Sequence, residues 1–398
     1  MKKSKLIILC AALCAIILAS CTKNTGFNNP DNNPANYDAL YVVNRADNSL
    51  SVINLTTEKV QKTINLGSPG TMMGSGMMNG NSTFNNMWPY HISLSPDKSK
   101  LAITEPGMDF DGGYEMMKGT TSSGGMGGMG GMGGNNYHHH NGNSTTDITD
   151  IMQMQGKILI IDAISGDLIK EITLEGMPYD AIFSNDGKEL WTALMMPVGK
   201  VKVFNAENYT LMSTITVGNM PAGVAFSDDG KKVLIANGIL GSIIVIDAVT
   251  KMVIDTIIAP PGTVGAFPGM NGMMFTDNEN THAVDIINSM SDMMSDSIHL
   301  GFFPGIVSRD SIMNQMWVSD PDGAKIHYWT RSGNNYLYGG SVSVGSGAGA
   351  MVFSKNGETC YVTNENDNSV SVVDVAGLKE IMKIPVGKKP NGLIIRYK

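Results

Sequence analysis

The feature that most constrains the fold is a short pattern that recurs along nearly the whole chain at intervals of about 43 residues. Near the C-terminus it reads Tyr361-Val362-Thr363-Asn364 followed by Asn368-Ser369-Val370-Ser371-Val372-Val373-Asp374, and residues 41–54 repeat it at the start. The residue that ends the first run recurs in seven units, at Asn44, Glu105, Leu194, Asn237, Asp277, Asp320 and Asn364. Self-similarity at a fixed period predicts an array of seven equal structural units.

Each unit contains four short runs of β-branched and aromatic residues. In the fourth unit these runs are Val224–Phe226, Val233–Ile235, Ile243–Ile246 and Val253–Thr256. Asp228-Asp229-Gly230 separates the first two and is typical of a hairpin turn. Four antiparallel strands repeated seven times predict an all-β, seven-bladed β-propeller, because a closed ring leaves only short protected edges. A mixed β-sandwich is the alternative, and the constant register argues against it.

The two ends of the repeat complement each other. Residues 392–396, after Pro390, have the pattern of a first, innermost strand with no further strands, whereas Tyr41 begins at a second strand that lacks a first. We therefore expect the C-terminal strand to complete the first blade and close the ring.

These segments resemble the YVTN-type β-propeller repeat, which is named for the motif at Tyr361-Val362-Thr363-Asn364. The resemblance covers residues 39–398. It implies the seven-bladed architecture shared by the haem d1 domain of nitrite reductase, the copper domain of nitrous-oxide reductase and lactonase-like proteins. It implies little about activity, because one fold hosts many functions.

The N-terminus has the pattern of an exported lipoprotein. Lys2, Lys3 and Lys5 precede an apolar run over 6–18, and small residues lead into Cys21. This pattern predicts a signal peptide over 1–20, lipidation of Cys21 and a membrane anchor through that lipid; an uncleaved anchor is the alternative. The Asn- and Pro-rich residues 21–38 are predicted to be a flexible tether. Thr22 and Lys23 favour the outer membrane of a bacterial envelope, since they lack the aspartate that commonly retains lipoproteins at the inner membrane.

The net charge limits the class of binding partner, and the cysteine content limits the disulfides that can form. The formal net charge is −8, and the acidic balance argues against nucleic acid as a partner. Cys360 is the only thiol left after loss of the signal and lipidation of Cys21, so no internal disulfide is expected. We expect a monomeric ring.

Two connections are much longer than the repeat requires, at 70–88 and 106–155, and both are predicted to leave the same face of the ring. Both are rich in glycine, methionine or histidine. The residues singled out as metal ligands are Met72, Met73, Met77, Met78, Met116, Met117, Met126, Met129, Met132, His138, His139 and His140. Thioether sulfur and imidazole together favour copper over calcium, magnesium or manganese. The alternative is low-complexity expansion without a ligand.

Four further residues are predicted at the channel mouth on that face. His91 and Asp180 each stand two residues after the repeat proline of adjacent units. His91 is proposed as an inner metal ligand; a channel-lining histidine bonded to water or to Asp180 is the alternative. Met177 and Met220 directly precede the repeat proline of their units; packing between blades is the alternative for these two.

Three classes of function follow. The first is a binding protein that takes up copper on one face. The second is an interaction scaffold that docks an envelope protein or a cytochrome without metal. The third, a lactonase-like or other hydrolytic enzyme, lacks a visible third partner for His91 and Asp180. The sequence has no haem-attachment motif and no nucleotide-binding motif.

Overall fold

A computed structural model describes residues 27–28, 33–67, 88–107, 155–238, 241–333 and 335–398. Among these residues the chain forms strands and turns, and none of it forms a helix long and apolar enough to cross a membrane. The strands make seven antiparallel sheets arranged as the blades of a β-propeller, which confirms the predicted fold class.

The strand bounds follow the repeat. The first blade contains β1 (Phe27–Asn28), β2 (Ala39–Asn44), β3 (Ser49–Asn54) and β4 (Lys59–Leu66). The second to fourth blades are β5 (Ile92–Leu94), β6 (Lys100–Glu105), β7 (Gly156–Asp162) and β8 (Leu168–Leu174); β9 (Met177–Phe183), β10 (Glu189–Met195), β11 (Gly199–Asn205) and β12 (Leu211–Gly218); and β13 (Pro221–Phe226), β14 (Lys232–Asn237), β15 (Ser242–Asp247) and β16 (Val253–Ile258).

The remaining blades continue in the same order. They are β17 (Phe267–Pro268), β18 (Met273–Asn278), β19 (Ala283–Asn288) and β20 (Met293–His299); β21 (Val307–Asp310), β22 (Gln315–Asp320), β23 (Lys325–Ser332) and β24 (Asn335–Ser343); and β25 (Ala348–Phe353), β26 (Thr359–Asn364), β27 (Ser369–Asp374) and β28 (Lys379–Pro385). The last strand is β29 (Pro390–Arg396).

The ring closes through the first blade, whose strand order is β1-β4-β3-β2-β29. The C-terminal strand β29 pairs with β2, with Leu40 opposite Ile395 and Val42 opposite Leu393. The predicted closure is therefore confirmed. The short strand β1, within the segment predicted as a tether, adds a fifth strand by pairing Phe27 with Leu66 at the outer edge.

Burial explains the residue pattern of each strand. The second strands, such as β2 and β22, are buried at every position because neighbouring blades cover both faces of the sheet. The outermost strand β4 alternates between buried and exposed positions because one face meets solvent. Large side chains fill the space between blades: Trp191 is fully buried and packs edge-on against Phe226 of the next blade, with ring centroids 5.7 Å apart.

The asparagine of the repeat ties strands together at the end of the second strand. Asn364 donates from Nδ2 to Ser369 Oγ (2.9 Å) and Ser371 Oγ (2.8 Å), and its Oδ1 accepts from the backbone N–H of Gly345 (3.0 Å). A side chain on Gly345 would collide with Asn364, so glycine is required there. The asparagine therefore makes three hydrogen bonds within its unit, and the glycine leaves the space that the asparagine side chain occupies.

Candidate functional site

The two long connections begin and end on one face of the ring. In each blade this is the face at which the first strand starts and the second strand ends; it is marked by His91, Glu105 and Asn364, and we call it the entrance face. The β4–β5 and β6–β7 connections both lie on it, because consecutive strands are antiparallel. His91 lies three residues after the first connection, and its backbone N–H donates to Oγ1 of Thr104 (3.1 Å), two residues before the second.

Most of the predicted metal ligands lie outside the described residues. They are His138, His139, His140, Met72, Met73, Met77, Met78, Met116, Met117, Met126, Met129 and Met132. The predicted lipidation site, Cys21, also lies outside them. These assignments remain predictions.

The first strands surround a central cavity of about 680 Å³. Its wall is largely backbone and small or apolar side chains, including Val224, Ala266 and Ile306. At the face opposite the entrance, Arg309 donates to Asp228 (2.9 Å) across the intervening blade. The cavity is thus large enough for a small ligand, and its polar groups lie mainly near its two ends.

His91 and Asp180 meet at the entrance to this cavity, as their common position in the repeat predicts. His91 Nδ1 lies 3.8 Å from Asp180 Oδ1, too far for a hydrogen bond. That Nδ1 atom is buried and has no hydrogen-bond partner, although the side chain is 31% exposed. Asp180 is held by the backbone N–H of Val224, which donates to Oδ2 (3.1 Å), and by Thr192, which donates to its carbonyl (2.6 Å). Nδ1 of His91 and Oδ1 of Asp180, two atoms that could each coordinate a metal ion, therefore lie close to each other.

The electrostatics of this corner are acidic. Burial raises the pKa of Asp180, while the neighbouring His91 and the Val224 N–H act to lower it. Burial raises the pKa of Asp277 to about 7 despite a hydrogen bond from the Gly265 N–H (2.6 Å), and the charge of Asp180 raises it further. Sequence reasoning treated Asp277 only as a strand end and missed this role. An added cation here would stabilise both carboxylates.

The predicted channel-mouth methionines are buried. Met177 and Met220 join Met195 in an apolar cluster packed against Tyr90 and Tyr179, and both are at most 5% exposed. The Tyr90 and Tyr179 hydroxyls lie 3.4 Å apart, and their ring centroids are separated by 5.1 Å. Met177 and Met220 therefore pack beside the mouth, whereas His91 and Asp180 line the cavity.

A buried carboxylate stands at the root of the second connection. Glu105 occupies the position held by Asn44 and Asn364 in their blades and is fully buried. Burial raises its pKa to about 7, against the opposing effect of Lys157, whose Nζ lies 3.1 Å away. Lys157 also contacts Glu171 at 3.2 Å. The departure from asparagine at Glu105 was the one sequence signal that could have found this site.

Two other histidines among the described residues, His282 and His327, make aromatic contacts. His282 packs edge-on against Phe303, and His327, within β23, stacks on Phe302 with ring centroids 4.4 Å apart. His327 Nε2 lies 3.4 Å from Asp320 Oδ2. Within the described parts of the chain, no three His, Cys, Asp or Glu side chains are grouped as a metal site.

Comparison with known proteins supports the architecture. No protein-family model matches the chain, and no curated protein matches it. Among solved structures, the fold is similar to Kuenenia stuttgartiensis hydrazine synthase, with a TM-score of 0.59 at 13% identity over 81% of this chain and 99% of that one.

Two further structures are similar to this chain. The periplasmic gluconolactonase PpgL of Pseudomonas aeruginosa gives a TM-score of 0.60 at 16% identity, covering 90% of this chain and 98% of that one. The dihydro-heme d1 dehydrogenase NirN in complex with DHE gives 0.52 at 12% identity, covering 89% and 74%. At these identities the likeness shows the propeller fold alone.

Proposed function

We propose that this chain is a YVTN-type propeller, anchored by lipid at Cys21 in the bacterial envelope, that binds copper at its entrance face without catalytic turnover. The observation that carries the proposal is the position of His91. Its buried, unbonded Nδ1 lies at the cavity mouth, on the same face as the two connections that are predicted to hold most of the methionine and histidine ligands.

The donor set supports copper through its chemistry. Thioethers are soft, uncharged ligands and imidazole is intermediate, so the two together suit copper better than hard cations. His91 and Asp180 supply one nitrogen and one oxygen at 3.8 Å, a separation that a shared metal ion can bridge. The other donors would come from the predicted ligands in 70–88 and 106–155.

Binding without turnover is favoured by what surrounds His91. Hydrolysis needs a nucleophile, a base and a stabilising group that converge on one point. Near His91 the charged neighbour is Asp180, and the adjacent Tyr179 is buried against Tyr90. Burial holds the pKa of Tyr179 well above its usual range, so it is a poor acid or base at neutral pH.

The test is the metal content of a tag-free protein from Asn24 onward, measured by mass spectrometry after copper loading and desalting. A variant lacking 112–143 removes His138, His139 and His140 together with the three Gly-Gly-Met repeats. The matched control replaces Met290 and Met293 by leucine, because these methionines are 80% and 63% exposed on the opposite face.

Stoichiometric copper that is lost with the deletion and kept in the control supports the proposal. Absence of retained copper in the unaltered protein overturns it and leaves the interaction scaffold as the better explanation. In that case the deletion should abolish co-purification of a partner without changing metal content.

A further inference from the structure

The short strand β1 fixes where the N-terminal segment leaves the ring. Phe27 pairs with Leu66 and Asn28 with Asn65, so β1 runs antiparallel to the end of β4 at the entrance face. The chain then reaches the opposite face, where the Ala35 N–H donates to the Ile164 carbonyl (2.8 Å) in the turn after β7. Residues before Phe27 therefore start from the entrance-face rim of the first blade.

We propose that the entrance face is held toward a phospholipid bilayer, an inference that rests on the proposed lipid anchor at Cys21. Six residue steps separate Cys21 from Phe27, and a fully extended chain of that length spans about 21 Å. The rim of the first blade therefore stays within that distance of the lipid surface. The cavity mouth at His91, in the adjacent blade, lies on the same face.

The reverse orientation would require a longer connection than the six residue steps from Cys21 to Phe27 provide. With the opposite face against the bilayer, the length of β4 from Lys59 to Leu66, at about 3.3 Å per residue, would raise Phe27 by about 23 Å. The turn over 55–58 that precedes β4 adds to that height. Full extension of the tether also carries an entropy cost for each residue that is ordered.

The tether, rather than charge, sets this orientation. The formal net charge is −8 for the whole chain and −11 without the three lysines of the predicted signal peptide, so an anionic lipid surface would repel the ring and a zwitterionic one is neutral toward it. The entrance face, where copper is proposed to bind, would then face the membrane, and the opposite face would be presented to the aqueous phase.

The test uses the full chain, isolated with its lipid and reconstituted into phosphatidylcholine vesicles that contain a quencher on some lipid headgroups. A fluorophore is attached at Lys388→Cys, in the β28–β29 connection of the entrance face, or at Lys355→Cys, in the β25–β26 turn of the opposite face. Both lysines are exposed, while the native Cys360 is buried and does not compete for the label.

We expect the Lys388→Cys label to be quenched several-fold more than the Lys355→Cys label. Inserting about 12 glycine and serine residues after Gly26 should remove most of the difference, because the tether then reaches either face. Equal or reversed quenching in the vesicle-bound protein overturns the orientation alone. If the unaltered protein does not float with vesicles and behaves like Cys21→Ser, the proposed anchor fails as well.

Discussion

His91 Nδ1 lies 3.8 Å from Asp180 Oδ1, buried and without a hydrogen-bond partner. The two residues come from adjacent blades, and each stands two positions after the repeat proline. Their separation leaves room for a shared metal ion between the two atoms. The two residues are far apart in the sequence and become neighbours because their blades are adjacent in the ring.

If these donors share one copper ion, their replacement should be non-additive. His91→Ala should weaken copper binding by about ten-fold, and adding Asp180→Ala should cost less than its effect alone, because the site is already broken. Affinities measured by competition with a chelator check this. His282→Ala, at the same face but packed on Phe303, is the control and should change affinity less than two-fold. Equal effects of His91→Ala and His282→Ala would contradict the assignment.

The raised pKa of Asp277 makes the ring less stable at high pH. Its pKa is about 7 in the fold and 3.8 in the unfolded chain, so the folded state binds the proton more tightly and loses stability as pH rises from about 4 to 7. Asp277→Asn should therefore raise the thermal midpoint at pH 8 by a few degrees and change it little at pH 4.

The control for Asp277 is Asp186→Asn, in an exposed hairpin turn. Hydrogen bonds from Ser184 and the Lys188 N–H lower the pKa of Asp186 to about 2, so its contribution is lost only as pH falls below the usual aspartate range. Between pH 5 and 8 the Asp186→Asn midpoint should shift in parallel with the unaltered protein. A parallel shift for Asp277→Asn as well would refute the burial argument.

Lys157 is the counter-charge of buried Glu105, so Lys157→Met should destabilise the protein more at pH 8 than at pH 5. At pH 5 Glu105, with a pKa raised to about 7, is already protonated; at pH 8 the variant must bury an unpaired carboxylate or keep the proton against the solution pH. Thermal unfolding at both pH values measures the difference. Lys188→Met, whose side chain is 80% exposed, should show no such pH dependence.

Replacing the repeat asparagine should cost several hydrogen bonds at once. Asn364→Ala leaves Gly345 N–H and the hydroxyls of Ser369 and Ser371 without their shared partner in a fully buried position. We expect a loss of about 2–4 kcal/mol in the free energy of unfolding, measured with urea. Asn366→Ala, at an exposed position of the same connection, should cost less than about 0.5 kcal/mol.

The sequence was sufficient for the fold because the repeat carries its own register. The second strands were expected to end at Leu194 and Asp277, and they end at Met195 and Asn278, one residue later. Buried second strands need continuous apolar runs, and turns need glycine, so the positions of these strands can be predicted from short stretches of sequence. The strand β1 could not be predicted in this way, because two residues paired at a sheet edge leave no periodic pattern.

The candidate site was only partly predictable. The proximity of His91 and Asp180 follows from their equal position in adjacent units. The influence of Asp180 on Asp277 does not, because it depends on how two non-adjacent blades curve around the cavity. Likewise, Lys157 meets Glu105 only after the chain returns from the long connection over 106–155.

The C-terminal strand β29 closes the ring by pairing with β2 of the first blade. Ile395 on β29 packs in a buried cluster with Leu40, Ile53 and Tyr361, so Ile395→Asp places an unpaired charge where the first and last blades meet. We expect a loss of at least about 3 kcal/mol and rapid proteolysis near both termini, because β29 can no longer hold the first blade to the seventh. Ile381→Asp, 55% exposed on β28, is the matched control. Equal protease resistance of the two variants would mean that the ring does not depend on this strand.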